Sequence, residues 1–458
     1  MNKILLILFL LTSQLVIAQP ETTMYTMSGV AQFSNYNPAF VPNYRFVFSV
    51  ASAHTHYSNS SFSYSDLVST QGDSLVVNLG DFQKKLKDKN YISAASDVEI
   101  FRLGIQASKR LYLNTYITNK AHTQEMIPKD LITIFSNGNA AFVNGTSSFA
   151  PQVNGQAYIE FAAGASYILS DKLTLGGRIK LLRGVFNVTT ENTEINMSLD
   201  ENYATTMSAQ VNVKTSGIQS MDEVEISKDY KNYLKNKGLA VDLGATLKLT
   251  KELTVGASLL DLGAINWRND TYGYTLDPEE ANHTFEGINL QKILDGDEDY
   301  MDAEMDSIEA KFELQESTIG SYRTPLPGKM YLTASYAWKA KTTFGALLFF
   351  EKYQGRFYPG FSTSVHKEFG RVAGASVTYT AINRTFGNFG LGINLNLTPF
   401  QFYLAGDNLL RIPTSHLING DFNKFASNTQ YLNVRAGLNF IFGRNLPESK
   451  KTYNGRKK

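Results

Sequence analysis

The chain has 458 residues, enough for several ordinary soluble domains or for one large barrel, and carries 43 basic against 42 acidic residues for a net charge of +1. Near-neutrality provides no field that would favour nucleic acid as a partner. The lack of any cysteine excludes a lipoprotein anchor, a disulfide framework and thiolate metal sites together.

At the N-terminus, Lys3, the apolar run Ile4 to Val16 and the small-residue site Val16-Ile17-Ala18 predict a signal peptide over residues 1–18, with the mature chain opening at Gln19. That run is shorter than the roughly 20 residues a membrane helix needs, and no comparable apolar run follows it. Residues 19–44 contain Pro38 and Pro42, which lack amide donors and fix φ, so this stretch is not an interior strand. Met24, Tyr25, Met27, Val30 and Phe33 are too apolar for a free tail. A hatch or plug folded back into a barrel is expected, with an ordinary leader lying across the periplasmic mouth as the alternative.

From 45 to 443 the apolar residues recur with a period of two over segments about 9 to 11 residues long, the length of a membrane-crossing strand. Leu239, Val241, Leu243, Ala245, Leu247 and Leu249 share one face, opposite Ala240, Asp242, Gly244, Thr246 and Lys248. Met330, Leu332, Ala334, Tyr336 and Trp338 form another such face, and so do Leu432, Val434, Ala436, Leu438, Phe440 and Phe442. A helix would scatter these sets around its circumference. Similar hairpins recur, as in AAGASYILSDKLTLGGRIKLL, DLGATLKLTKELTVGASLL and YLTASYAWKAKTTFGALLFF. Short turns are predicted at Lys109-Arg110, Ser170-Asp171-Lys172, Thr250-Lys251-Glu252, Lys339-Ala340-Lys341, Glu368-Phe369-Gly370 and Thr398-Pro399-Phe400.

Short turns alternating with long polar connections are the asymmetry of an outer-membrane barrel. An opening strand near Arg45 to Ala53, six hairpins and a closing strand near Tyr431 to Phe442 give an all-β, antiparallel, up-and-down transmembrane barrel of about fourteen strands. Thr193 to Val213 is the segment that would add a hairpin. Tyr167, Trp338, Phe369, Phe400 and Phe402 fall at strand ends, where interfacial girdles are built. A soluble sandwich or propeller also alternates, but seldom on this schedule of short turns and long loops.

The connections have their own signals. A short helix is predicted near Asp81 to Lys89 within the polar stretch Ser65 to Ser96, and Thr215 to Lys237 reads as a charged loop. Asn269 to Arg323 holds the acidic run 295–316, in which Met301, Met305, Ile308 and Phe312 have helical spacing. Asp295, Asp297 and Asp299 invite a cation, but Tyr300 stands where a calcium loop needs glycine and Asp306 where it needs glutamate, so a solvated acidic face is expected. After the closing strand, residues 444–458 are expected to form a basic periplasmic tail.

No catalytic constellation, metal site or cofactor is expected. The six histidines are scattered apart from His54-Thr55-His56, and neither G-x-S-x-G nor H-E-x-x-H occurs. Lumen-facing charges are the candidate site: Glu160, Arg178, Lys180, Asp242, Lys248, Asp407 and Arg435. Mixed signs in a barrel of this size suggest paired charges filling a narrow interior, with a wide porin lumen as the competing arrangement. Leu243 and Leu438 are expected to face lipid, and Thr246 and Asn439 to face the lumen.

Before the first strand the sequence reads SGVAQFSNYNPAFVPNYRFVFSV. Asn37, Pro38 and Ala39 there resemble the N-terminal hatch motif of the long-chain fatty-acid transporter family, which are fourteen-stranded barrels. The whole mature chain more closely resembles a family of outer-membrane barrels of unknown function, in which NPA-x-x-P precedes the first strand. The resemblance implies an outer-membrane location and no ligand-pocket residue that can be matched. Two functions remain open. One is a passive uptake channel for a small hydrophobic ligand, gated by the N-terminal plug; the other is a non-transporting platform in outer-membrane lipid that binds a periplasmic or surface protein in secretion or envelope assembly.

Overall fold

A computed structural model describes residues 21–62, 64–71, 74–219, 235–287, 294, 300–339, 341–353, 356–382, 385–408 and 431–444. The expected signal peptide, the triplet Asp295, Asp297 and Asp299, and the basic tail from 445 onward lie outside the described residues. Fourteen long strands form a closed antiparallel barrel. The first seven are β1 (Tyr44–Asn59), β2 (Lys89–Gln106), β3 (Leu111–Pro128), β4 (Gln152–Ile168), β5 (Leu173–Thr190), β6 (Asn236–Lys248) and β7 (Leu253–Trp267). The second seven are β8 (Gly328–Trp338), β9 (Thr342–Tyr353), β10 (Arg356–Phe369), β11 (Ala373–Ile382), β12 (Thr385–Leu397), β13 (Phe400–Asp407) and β14 (Tyr431–Arg444). Each strand pairs with its sequence neighbour, and β14 returns to β1 through Phe46↔Phe442, His54↔Arg435 and Ser58↔Tyr431. Closure leaves no edge with unpaired backbone groups, the condition for a sheet to stand in hydrocarbon.

Three of the short turns share one local device. Ser108, Ser170 and Thr250 each turn a side-chain hydroxyl back to accept from the amide three residues on, at 3.1, 3.1 and 3.0 Å. The amide two residues on donates to the same oxygens at 3.2, 3.3 and 3.1 Å. This hydroxyl-capped turn explains why SKRL, SDKL and TKEL recur between strands. The Lys339 to Lys341 and Phe369 to Gly370 turns instead use positive φ, at 66° for Lys341 and 67° for Gly370.

Alternation sorts the side chains as its period requires. On β5, Leu175, Ile179 and Leu181 are exposed on the outside, while Arg178, Lys180 and Leu182 are buried within. Leu239, Leu243 and Leu247 continue the outer face on β6, opposite buried Ala240 and Asp242. Tyr167, Trp338, Phe369, Phe400 and Phe402 are exposed near the short-turn end, where a girdle belongs. The apolar outer wall gives a direct test. Leu243→Arg should cost roughly 2–4 kcal/mol of folding stability in bilayers and Thr246→Arg less, because Thr246 faces internal space. Equal losses in urea titrations of the two variants would mean that the faces are assigned wrongly.

Asn439 faces inward as expected, but it is fully buried and packed between Gln32 and Gln401, so an arginine there would be overpacked. The expected count of fourteen holds, and the hairpin within 193–213 adds no barrel strands. Glu194–Leu199 and Thr205–Ser216 pair with each other, and the latter also pairs with Thr271–Leu276 and Asn282–Phe285 in an extension beyond the long-loop end. The first loop helix spans Leu79–Lys85, capped by the Asn78 side chain, rather than reaching Lys89. The acidic-loop helix spans Tyr300–Lys311, and Phe312 just after it packs against Ala209, Leu276 and Ala281.

Candidate functional site

Residues 21–43 occupy the inside of the barrel. Lacking the donors for a ladder at Pro38 and Pro42, the segment folds into 3-10 turns over Met24–Thr26 and Ala31–Asn35. Its side chains make the core that the wall alone lacks. Met24, Tyr25, Met27, Val30 and Tyr36 pack against Leu260, Tyr331, Leu347, Phe349, Tyr403 and Ala405 from β7, β8, β9 and β13.

The Asn37-Pro38-Ala39 turn is pressed onto β4 to β7. The Asn37 side chain accepts from the Ala39 amide at 2.9 Å and donates to the Ala245 carbonyl at 3.3 Å. Ser166 donates to the Pro38 carbonyl at 2.7 Å, and Ser258 to the Tyr36 carbonyl at 2.6 Å. Gly176 and Gly244 form the cradle: a Cβ at the first would overlap the Pro38 carbonyl, and at the second the Asn37 side chain. Glycine in the middle of these strands therefore permits close backbone approach rather than flexibility.

Polar anchors fix the rest of the segment. Asp407 accepts from Thr22 Oγ1 at 2.9 Å, the Thr23 amide at 3.0 Å and Thr23 Oγ1 at 2.5 Å. Gln32 donates to Glu99 and to Asn439, both at 2.9 Å. Arg102 is paired with Glu99 at 2.6 Å and donates to Ser34 Oγ at 2.9 Å and to Asn35. Arg178 donates to the Ser34 carbonyl at 2.6 Å, and both guanidiniums lie against the Tyr116 ring.

The wall charges divide into groups. Arg178 meets Asp242 at 3.0 Å, while Lys180 meets Asp242 at 2.8 Å, Asp261 at 2.5 Å and Glu160 at 3.8 Å. Lys120 joins Glu160 at 3.1 Å. Thus Glu160, Arg178, Lys180 and Asp242 come together, as paired buried charges must. Lys248 does not join them; it is exposed near the short-turn end. Asp407 and Arg435, on adjacent strands two ladder positions apart, also serve separate groups, because Asp407 is taken by Thr22 and Thr23. Arg435 Nε binds both Glu21 oxygens at 2.7 and 3.0 Å, and His54 Nε2 lies 2.9 Å from Glu21 Oε1. Burial would raise the Glu21 carboxyl, but Arg435 and His54 outweigh it and hold the group at about 2. Sequence reasoning missed Glu21, His54, Asp97, Glu99, Arg102, Lys120 and Asp261. Inward phase on the strands marks His54, Asp97, Glu99 and Lys120, whereas Arg102 and Asp261 turn inward only because bulges shift the alternation, and nothing in the sequence ties Glu21 to the seam.

Two cavities lie on either side of the segment. The outer one, about 160 Å³, is lined by the loop halves of the strands and is rich in ionisable groups, including Glu21, His54, Asp97, Lys120, Glu160 and Arg435. The inner one, about 330 Å³, is lined by the turn halves and is mostly neutral. Hydroxyls of Thr174, Thr246, Thr254 and Ser364 face rings and alkyl groups of Tyr25, Phe33, Phe40 and Leu347 there. Residues 21–43 contribute to both linings.

A closed barrel with an apolar outer wall and a chain segment packed inside it defines an integral outer-membrane β-barrel. The chain belongs to the family of unknown function DUF5723, whose profile matches residues 38–407. The sequence matches no curated protein. Its fold is similar to those of FadL-type barrels. The Ralstonia pickettii toluene transporter TbuX aligns over 89% of this chain and 92% of its own, with 9% identity and a TM-score of 0.43. The Pseudomonas putida toluene transporter TodX aligns over 91% and 94%, with 9% identity and a TM-score of 0.43. A Pseudomonas aeruginosa FadL homologue aligns over 94% and 99%, with 10% identity and a TM-score of 0.42.

Proposed function

We propose that this protein is a passive uptake channel for a small hydrophobic substrate, in which residues 21–43 are a movable hatch. The observation that carries this is the division of one lumen into two chambers by a segment that lines both but is no part of the barrel wall. Wall side chains leave space on both sides of the hatch, so its withdrawal joins the chambers. The neutral inner chamber, with Tyr25, Phe33, Phe40 and Leu347 in its lining, suits an apolar body better than a charged one. The second function, a platform for a protein partner, draws on the sheet extension at the loop end and on exposed Phe135 and Tyr203 there.

A disulfide lock tests the gate, and the natural chain has no cysteine to interfere. Thr23 Oγ1 and Thr378 Oγ1 are 2.7 Å apart, so Thr23→Cys/Thr378→Cys places two sulfurs within bonding reach. Oxidation should suppress substrate-sized conductance events in planar bilayers, and reduction should restore them. Identical conductance in the oxidised and reduced states would reject a moving hatch and favour the platform.

A further inference from the structure

We propose that Glu21 is an internal stand-in for a ligand: the Arg435 and His54 pocket of the outer chamber binds a short, water-soluble carboxylate, which displaces Glu21 and frees the hatch. The release step rests on the hatch-gated channel proposed above; the binding site does not. The pocket is already a complete carboxylate receptor. Arg435 Nε reaches both oxygens of Glu21 at 2.7 and 3.0 Å, and His54 Nε2 reaches one of them at 2.9 Å. Bonds of this charge-assisted kind are stronger than neutral ones.

The receptor belongs to the wall, and only its occupant belongs to the hatch. Arg435 is held by β1 and β2 through Nη1 to Ser52 Oγ at 3.2 Å and Nη2 to Asp97 at 3.4 Å. His54 Nδ1 lies 3.5 Å from Asp97, and its single Nε2 hydrogen is shared between Glu21 and the Asn433 side-chain oxygen 2.8 Å away. The register His54↔Arg435 at the β1 to β14 seam keeps the two donors side by side when Glu21 leaves. Glu21, His54 and Arg435 all line the outer chamber, so a solute within it meets them. Lys120 and Lys329 line it as well, beside five further acids: Glu160 and Asp261 are engaged by lysines, Glu99 by Arg102 and Asp97 by Arg435 and His54, and Glu351 completes the set.

Two magnitudes set the ligand class. A carboxylate tethered by the chain competes at an effective concentration of order millimolar, so a free one displaces it only near that range. The chamber is about 160 Å³ and its walls are ionisable, which accommodates a short acid and rejects a long acyl tail.

The test uses the full chain and Glu21→Ala, both in an amine-oxide detergent, with acetate, propionate and benzoate against the neutral acetamide. Calorimetry should give acetate an affinity for Glu21→Ala roughly tenfold or more above that for the native chain, because the tethered competitor is gone. Acetamide should not bind, and Glu21→Ala/Arg435→Gln should lose acetate binding. Glu21→Gln serves in the same role should Glu21→Ala not insert. No acetate binding to either variant overturns the site. Native conductance should rise with millimolar acetate at constant ionic strength. Binding to the variant with no such rise overturns the release step alone, so a failed gate and a failed site are distinguishable.

Discussion

A chain lacking residues 21–43, with residues 1–20 kept, should insert normally and conduct several-fold more than the native protein. Insertion should survive because the deletion removes no ladder bond: β1 begins at Tyr44 and pairs with β14 and β2 without residues 21–43. The lipid-facing residues are untouched as well. Conductance should rise because the segment fills the space between the two chambers, and a fourteen-stranded wall is too wide for inward side chains alone to close. The exposed lumen then admits water, which replaces the deleted segment at Asp407, Glu99 and Arg102. Single-channel recordings and uptake of bulky antibiotics report the change. Normal insertion with unchanged conductance would remove the main support for gating.

Asp242→Ala should be the most destabilising single substitution in the wall, at roughly 3–5 kcal/mol, because it leaves buried cations uncompensated. Arg178 and Lys180 converge on Asp242 Oδ2 at 3.0 and 2.8 Å, and all three side chains are buried. Its Oδ1 accepts from the Asp261 amide at 2.8 Å, at a residue held at φ 59° beside a break in the β6 to β7 register. The substitution therefore loses a charge centre and the clamp on a bulge together. Asp242→Asn keeps the acceptor for that amide and should lose less. Denaturant titration of the micelle-bound barrel gives the comparison, and a loss below about 1 kcal/mol for Asp242→Ala would mean that water or Glu160 compensates the cations.

Much of this barrel is legible from residues a few positions apart. The period of two assigns Leu243 outward and Asp242 inward because successive Cβ atoms point to opposite faces whatever lies beyond the sheet. The turns at Ser108, Ser170 and Thr250 are legible because a hydroxyl capping its own next amides needs nothing distant. Pro38 and Pro42 remove residues 21–43 from the wall by covalent geometry alone. The paired Asn37 and mid-strand glycines carry a weaker trace of where that segment docks.

The sequence by itself therefore determines which residues face lipid, where the hairpins turn and which segment stands outside the ladder, since each rests on local bonding. Only the tertiary structure decides what meets inside. Glu21 with Arg435 and Thr22 with Asp407 lie 414 and 385 positions apart, joined because β14 closes on β1 and residues 21–43 pack inside the ring so formed. Depth divides residues of the same phase: Lys180, at mid-strand, is enclosed by three carboxylates, whereas Lys248, at the short-turn end, remains exposed. Alternation specifies a face but not a distance along the barrel axis, and it is that distance, with closure, that sets burial and therefore pairing.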